Sequence, residues 1–267
     1  MDAVRRILGV RRVGHTGTLD PFATGLLVVL VGRATRLSQY LVGLRKTYIG
    51  TVKLGVSTET HDLTGEVVAE DDGWQRLERS RIDAEVAALI GRHHQRPPKY
   101  SAKKVGGQRA YRLARKGEEV DLPPKEVEVF DFSLTDVNGA DLEFSCEVSS
   151  GTYVRALARD LGSELGCGAH LTSLRRTAVG SFDLEMAQAL SDIEKKTAAI
   201  GSPADAVGHL PRFLVENEEV RKKIRHGQPI PAVHFDESVV AMIAGQQLIA
   251  IAEKRDEMFK PKVVLEG

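Results

Sequence analysis

The chain has 267 residues, 42% of them hydrophobic and 28% charged, with 37 Lys and Arg balanced by 37 Asp and Glu. That length can bury the core of one large domain, or of one large and one small, and the composition is ordinary for a soluble globular protein. The apolar run Leu26–Val31 is too short to span a bilayer, two cysteines without a Cys-x-x-Cys argue against zinc and a disulfide framework, and no apolar signal core follows Met1, so a reduced, cytoplasmic protein is expected.

Residues 2–8 read as a helix with Val4, Ile7 and Leu8 on one side. A glycine-punctuated loop follows, Gly14-His15-Thr16-Gly17-Thr18-Leu19-Asp20-Pro21, running on through Thr24-Gly25. Pro21 biases Asp20 toward extended backbone, and the glycines allow turns or close approach of a ligand. A carboxylate at the mouth of a core element suits a nucleophile or general base. The plainer reading is a turn aspartate before a strand. Leu26–Val31 is short and β-branched and predicts a buried strand, and Ala34–Leu44 predicts a helix. Lys46–Leu54 alternates around Tyr48, Gly50, Val52 and Leu54 as a strand does.

Ser80 is placed to cap a helix running to about Ile90. Residues 91–108, rich in Pro, Gly and Lys, read as a loop, with a short helix over Arg109–Lys116. Val127–Leu134 and Leu142–Val148 read as strands turned at Asn138-Gly139. Leu142, Phe144, Cys146 and Val148 share one face of the second strand. Thr152 is placed as the cap of a helix whose apolar stripe is Val154, Leu157, Ala158, Leu161 and Leu165, with Arg155 and Arg159 on another face. Small residues and prolines over 191–211 predict a linker, followed by a small β-rich module over 212–267.

The overall neutrality hides segregation: residues 1–50 carry a net charge of +6, 51–90 of −5 and 118–150 of −9. Residues 91–117 hold nine Lys and Arg, among them Lys103 and Lys104, with no acid. Cations interleaved with Tyr100 and Tyr111 suit phosphates and bases, against the plainer reading of a solvated loop. Three further pieces could carry chemistry: the Asp20 loop with His15, the Tyr48 strand, and Ser149–Arg155 at a strand-to-helix turn. An arginine beside Asp20 would orient it through a charge-assisted pair. Each residue also has a plainer reading: Tyr48 as a half-buried strand residue, Arg155 as a surface ion-pair partner, His15 as a loop hydrogen-bonder. No Walker-type loop, dinucleotide fingerprint or Gly-x-Ser-x-Gly occurs.

The segment Gly14–Gly25 resembles the catalytic motif of the TruB-type pseudouridine synthases, stand-alone bacterial enzymes that isomerise a uridine in the T loop of tRNA. The similarity continues through Gly32-x-Ala34-Thr35-Arg36, Lys46-x-Tyr48, Leu54-Gly55-x-x-Thr58-x-Thr60-x-Asp62, Tyr100-Ser101-Ala102-x-Lys104, Ser150–Arg155 and Leu174-Arg175-Arg176, covering about residues 2–190. It implies an α+β fold with a mixed, mainly antiparallel sheet and flanking helices, in a catalytic domain over 1–195. It also implies an RNA-clamping insertion at about 91–120 and, more weakly, a PUA-like RNA-binding module over 212–267.

By the same resemblance Asp20 is the catalytic aspartate, Arg155 its salt-bridge partner and Tyr48 the residue that stacks on the base and helps remove its C5 proton. His15 fills the place of the flipped nucleotides, Arg36 stands where the family usually has Lys, and Tyr153 and Leu174 line the uracil pocket. Lys103 and Lys104 are expected to hold RNA. The implied partner is the T stem-loop of tRNA, bound by a monomer with no guide RNA, protein partner, membrane, cofactor or metal.

Family members usually carry a strand and a Lys-Pro-x-Gly-x-Ser/Thr-Ser segment before the first helix, so a late-assigned or truncated start is expected here. The rival readings are an RNA-binding or RNA-folding protein with impaired catalysis, and a guide-RNA-dependent subunit of the same superfamily. A glycosidase would need a second acid at a suitable distance, and the sequence offers no candidate.

Overall fold

Lys46–Leu54 forms the strand its alternation predicts, with Lys46, Tyr48, Val52 and Leu54 buried on one face. In the computed structural model, which describes residues 1–100, 104–105, 108–109, 122–195, 199–232 and 235–266, this strand is central to a seven-stranded sheet. Asp141–Val148 pairs antiparallel on one side and Ala169–Val179 on the other. Lys125–Asn138 and then Gly91–Gln95 extend the sheet beyond Asp141–Val148. Phe182–Asp183 pairs with Ala169–Val179, and Thr24–Gly25 joins it in parallel. The sheet is therefore mixed and mainly antiparallel, with helices packed on it.

One face of this sheet carries the core. The helix Val154–Glu164 buries Val154, Leu157, Ala158 and Leu161, with Leu165 just beyond its end, against Tyr48, Val52, Leu54, Leu142 and Leu171. Each such aliphatic side chain contributes about 1.5–3 kcal/mol by leaving water. Gly50 is required where it stands, because a Cβ there would lie 2.5 Å from the Ser173 carbonyl oxygen and 3.0 Å from the Phe144 ring. Phe144 in turn stacks on Phe132 with centroids 4.9 Å apart.

The chain divides into two compact units, residues 18–27 with 43–187 and residues 1–17 with 28–42 and 188–267. These boundaries differ from the linear division expected near 195–212, since two N-terminal segments group with the C-terminal part. Within the latter unit Val13–His15 pairs antiparallel with Val29–Val31. A five-stranded sheet runs in the order Arg212–Leu214, Val239–Ala244, Gln247–Arg255, Met258–Val264, Ile230–Pro231. The helix Glu218–Arg225, capped by the Asn217 side chain, accompanies it, and Ile224, Met242, Ile249 and Phe259 are buried in its core. The expected β-rich C-terminal module is present.

Several local expectations change. Gly91–Gln95 is a strand rather than a loop, held by the register Val129↔Gly91 to Lys125↔Gln95. Of the helix expected over Arg109–Lys116, Arg109 belongs to a two-residue strand and the remainder lies outside the described residues. The buried strand expected over Leu26–Val31 shrinks to Val29–Val31, because the Leu26 N–H is taken by the Arg176 carbonyl. Ala34–Leu44 is instead a 3-10 helix over Gly32–Leu37 followed by one α turn over Ser38–Leu41.

Capping also differs. Ser80 does not cap its helix, which runs Arg79–Ala88 from Glu78. Tyr153 rather than Thr152 is the N-cap of the next one, the Thr152 hydroxyl lying 3.2 Å from that of Ser149. The hairpin turns at Gly139-Ala140, with Gly139 at φ 58° and Asn138 already paired to Asp141. The expected linker carries two short helices, Leu190–Glu194 and Pro203–Ala206.

Candidate active site

Asp20 sits in the loop between Thr18 and Leu26, its carbonyl accepting the Ala23 N–H at 2.9 Å. Arg155, the second residue of its helix, points at it. Nε donates to Asp20 Oδ2 at 2.9 Å and Nη2 to Oδ1 at 2.7 Å, a bidentate pair. The remaining donors are used as well. Nη2 also donates to the Tyr100 carbonyl at 3.0 Å, and Nη1 donates to the Thr60 carbonyl at 3.0 Å with Asp62 Oδ2 3.2 Å away. Four hydrogen bonds and the ion pair with Asp62 thus surround the guanidinium, as a side chain only 3% exposed requires. Asp20 keeps 24% of its side chain accessible. The carboxylate is held from behind and open in front.

Asp62 is the second carboxylate on Arg155, and it is 3% exposed. Its Oδ1 accepts from the Thr60 hydroxyl at 2.6 Å, the Thr64 hydroxyl at 2.6 Å and the Thr64 N–H at 3.0 Å. His61, at φ 59°, turns the chain just before it. Burial, together with the charges of Arg159 and Arg155, pushes the His61 imidazole down to about 4, so it is neutral beside the cations at neutral pH. The helix that carries Arg155 is fixed at its start by Gln95, whose amide accepts the Tyr153 N–H at 2.8 Å and donates to the Tyr153 carbonyl at 3.1 Å.

Tyr48 lies on the core face of its strand, 9% exposed. In register across the sheet it faces Arg176, and Gly50 faces Leu174. Burial raises the Tyr48 phenol, the charge and hydrogen bond of Arg176 oppose that rise, and the nearby Asp20 carboxylate adds to it. Leu174 is buried and lines a cleft of about 630 Å³ with Phe22, Ile49, Thr51, Ser173 and Arg175. Lys46, two residues before Tyr48, is lowered to about 8 by burial and by the charges of Arg176 and Lys125, and it donates to the Leu44 carbonyl at 2.5 Å.

Among the residues singled out from sequence, Asp20, Tyr48, Arg155, Tyr153 and Leu174 fall in one compact unit, and His15 and Arg36 in the other. His15 is exposed and its Nδ1 accepts the Gly17 N–H at 3.3 Å. Arg36 donates to the Val264 carbonyl at 2.7 Å. Lys103 lies outside the described residues. Lys104 belongs to a two-residue strand paired with Gln108–Arg109. No group of His, Cys, Asp and Glu suited to a metal occurs among the described residues, and no helix among them is long and apolar enough to cross a membrane.

Three buried polar residues of the site had no assigned role from sequence: Asp62, Gln95 and Arg176. Asp62 had a readable signal in the threonines at 60 and 64, which can saturate a buried carboxylate. Arg176 was marked only by its place in the Leu174-Arg175-Arg176 match, and Gln95 by nothing, since its segment read as a loop.

Comparison with known proteins shows the family and the fold. The TruB family pseudouridylate synthase N-terminal domain matches residues 5–154, and the tRNA pseudouridylate synthase B C-terminal domain matches 155–218. A tRNA pseudouridine synthase B from Thermobifida fusca is 42% identical, covering 99% of this chain and 92% of that protein. One from Syntrophobacter fumaroxidans is 44% identical over 84% of this chain and 75% of that protein.

In fold the chain resembles an H/ACA RNP bound to a substrate RNA containing 2'-deoxyuridine, with a TM-score of 0.74 at 21% identity, covering 99% of this chain and 79% of the other. An archaeal box H/ACA sRNP complex gives 0.72 at 23% identity, over 98% and 79%. By its family domains and by the extent of its match to these relatives, the chain belongs to the TruB family of pseudouridylate synthases.

Proposed function

We propose that this chain isomerises a uridine to pseudouridine in the T loop of tRNA, with Asp20 as the reacting carboxylate. Family membership and relatives named tRNA pseudouridine synthase B support the reaction class and the tRNA substrate. The observation that carries the residue-level reading is the Asp20–Arg155 fork. A carboxylate is held at two points by a buried arginine that is itself held by Thr60, Tyr100 and Asp62, yet 24% of the carboxylate side chain remains accessible.

The reaction breaks the N1–C1′ bond of the uridine, turns the uracil and joins C5 to C1′. The C5 proton leaves and N1 gains one, so atoms and charge balance without an added reagent. Asp20 acts as an anion on the nucleoside, as a nucleophile or as the base that takes a sugar proton. Fixing its two oxygens removes the cost of orienting them during the reaction.

A uridine within a folded loop must be flipped out to reach this carboxylate, at a cost of a few kcal/mol, roughly. Stacking on an aromatic face offsets about 1–3 kcal/mol of that, and Tyr48 is the aromatic residue next to Asp20. Tyr153 and Leu174 complete the base pocket. Lys103, Lys104, His15 and Arg36 contact RNA, the acid-free 91–117 segment supplies phosphate contacts, and residues 212–267 form a PUA-like RNA-binding module. The stand-alone chain needs no guide RNA.

The test is release of tritium from C5-labelled uridine in a T-arm stem-loop. Wild type should release it and Asp20→Asn should be slower by at least about 10³-fold, with RNA affinity retained. RNA binding by both chains without release by either would instead mark an RNA-binding protein.

A further inference from the structure

Arg176 is among the largest fully buried side chains of the protein, with 2% of its surface exposed. It stands on a strand that pairs with the Tyr48 strand on one side and with Gly25 of the Asp20 loop on the other. Its Nε donates to the Leu26 carbonyl at 2.8 Å and its Nη1 to the Thr18 carbonyl at 3.4 Å, so one guanidinium grips the Asp20 loop at both ends. Arg176 is the register partner of Tyr48 across the sheet, and its charge opposes the rise that burial causes in the Tyr48 phenol.

The backbone of Arg176 adds to this grip. Its carbonyl accepts the Leu26 N–H at 2.8 Å, and Gly25 runs parallel beside it. Gly25, at φ 98°, has no alternative: a Cβ there would stand 2.2 Å from the Arg176 carbonyl oxygen. Arg155 orients the Asp20 carboxylate itself, but nothing in that fork fixes the backbone from which Asp20 hangs. A planar guanidinium with donors on several sides can hold loop and phenol in one geometry, whereas a lysine ammonium on its flexible stem acts as a point charge.

We infer that Arg176 is a positioning residue that locks the Asp20 loop and the Tyr48 phenol into a single arrangement, setting the rate of the chemical step rather than RNA binding. This rests on the proposed reaction, and its test has one arm that does not. Arg176→Met and Arg176→Lys would be compared with wild type for single-turnover tritium release, affinity for the T-arm stem-loop, and hydrogen exchange of peptides covering residues 18–27.

In Arg176→Met the release rate should fall about 100-fold, the cost of a misplacement of the order of an ångström, with affinity within about threefold of wild type. Exchange over 18–27 should quicken about tenfold while the Val154–Glu164 helix stays protected. Arg176→Lys should recover part of the rate. If Arg176→Met does not fold, Arg176→Lys carries the same criteria, with a loss smaller than 100-fold.

An unchanged release rate in a folded variant overturns the inference. So does a parallel fall of rate, affinity and protection throughout the chain, which marks a merely structural residue. Unchanged exchange over 18–27 in both variants overturns it whatever the chain catalyses. Failure of wild type to release tritium would sink only the functional reading, because the exchange arm needs no substrate.

Discussion

Arg155 and Arg221 each present Nε and Nη2 to a single carboxylate, Asp20 in one compact unit and Glu266 in the other. The fork is the same and the surroundings are not. Arg155 is 3% exposed and spends its remaining donors on Thr60, Tyr100 and Asp62. Arg221 is 29% exposed, and Glu266 is shared with Arg225 at 2.8 Å. Asp20 keeps 24% of its side chain accessible, against 17% for Glu266. The second fork ties the helix Glu218–Arg225 to the residue just past the last strand. Bidentate geometry alone does not mark a reactive site. What separates the two forks is burial of the cation, because a buried guanidinium bonded on several sides cannot turn away from its carboxylate.

The largest effect that could break this comparison comes from Arg155→Met. Asp62, 3% exposed, would lose its cation, and breaking such a buried pair costs about 3–5 kcal/mol. Tritium release should fall by about 10³-fold or more as Asp20 loses both of its anchors. Arg155→Lys should fall between, since an ammonium cannot reproduce the two parallel bonds. Denaturant titration and single-turnover assays read the two losses. A stability loss near zero would place Arg155 with the exposed pairs and remove the distinction.

The elements that carry the first fork were largely legible in the sequence. The Tyr48 strand is read from a clean period of two and the Arg155 helix from its apolar stripe, while the local residues around Asp20 suggest a turn as readily as a site, and only the resemblance joins the three. The unread parts are those in which tertiary bonds replace local signal. Gly91–Gln95 contains no strong strand former, yet it pairs because Lys125–Val129 offers a ladder and Gln95 can clamp Tyr153. Arg176 is marked in the sequence only by its place in the Leu174-Arg175-Arg176 match, with no role read for it. Only the return of the Thr18–Leu26 loop gives its guanidinium acceptors. The grouping of 1–17 and 28–42 with 188–267 leaves no trace in composition, since the segments are joined by contacts distant in sequence.

A smaller effect sharpens the buried side. His61 stands near Arg155 and Arg159, and its imidazole titrates at about 4 instead of 6.5. Between those values the unfolded chain binds a proton that the folded chain refuses, so the stability present above 6.5 is lost as pH falls toward 4. For a group that retains some solvent the loss is about 1–2 kcal/mol. His61→Gln should flatten the acid limb of a stability profile over that window. An unchanged slope would mean that the cations around Arg155 do not act on their neighbours, against the picture of a cluster shielded from water.

The smallest effect belongs to the exposed fork and tests the other half of the comparison. Glu266 is held below its ordinary value, chiefly by the hydrogen bond from Arg221. Its contribution to stability is therefore present above the ordinary value of 4.5 and lost as pH falls through the lower value of the folded chain. Glu266→Gln removes that acid dependence and leaves Arg221 and Arg225 facing solvent rather than buried, so Tm at neutral pH should change by about 2 °C or less. In 1 M salt, where charges are screened beyond about 3 Å, the difference from wild type should shrink further. The loss from Arg155→Met should persist in the same salt, since mobile ions do not reach a buried guanidinium. Equal salt sensitivity of the two variants would mean that burial is not what separates the forks, and the assignment of Asp20 as the reacting carboxylate would then have to stand on openness alone.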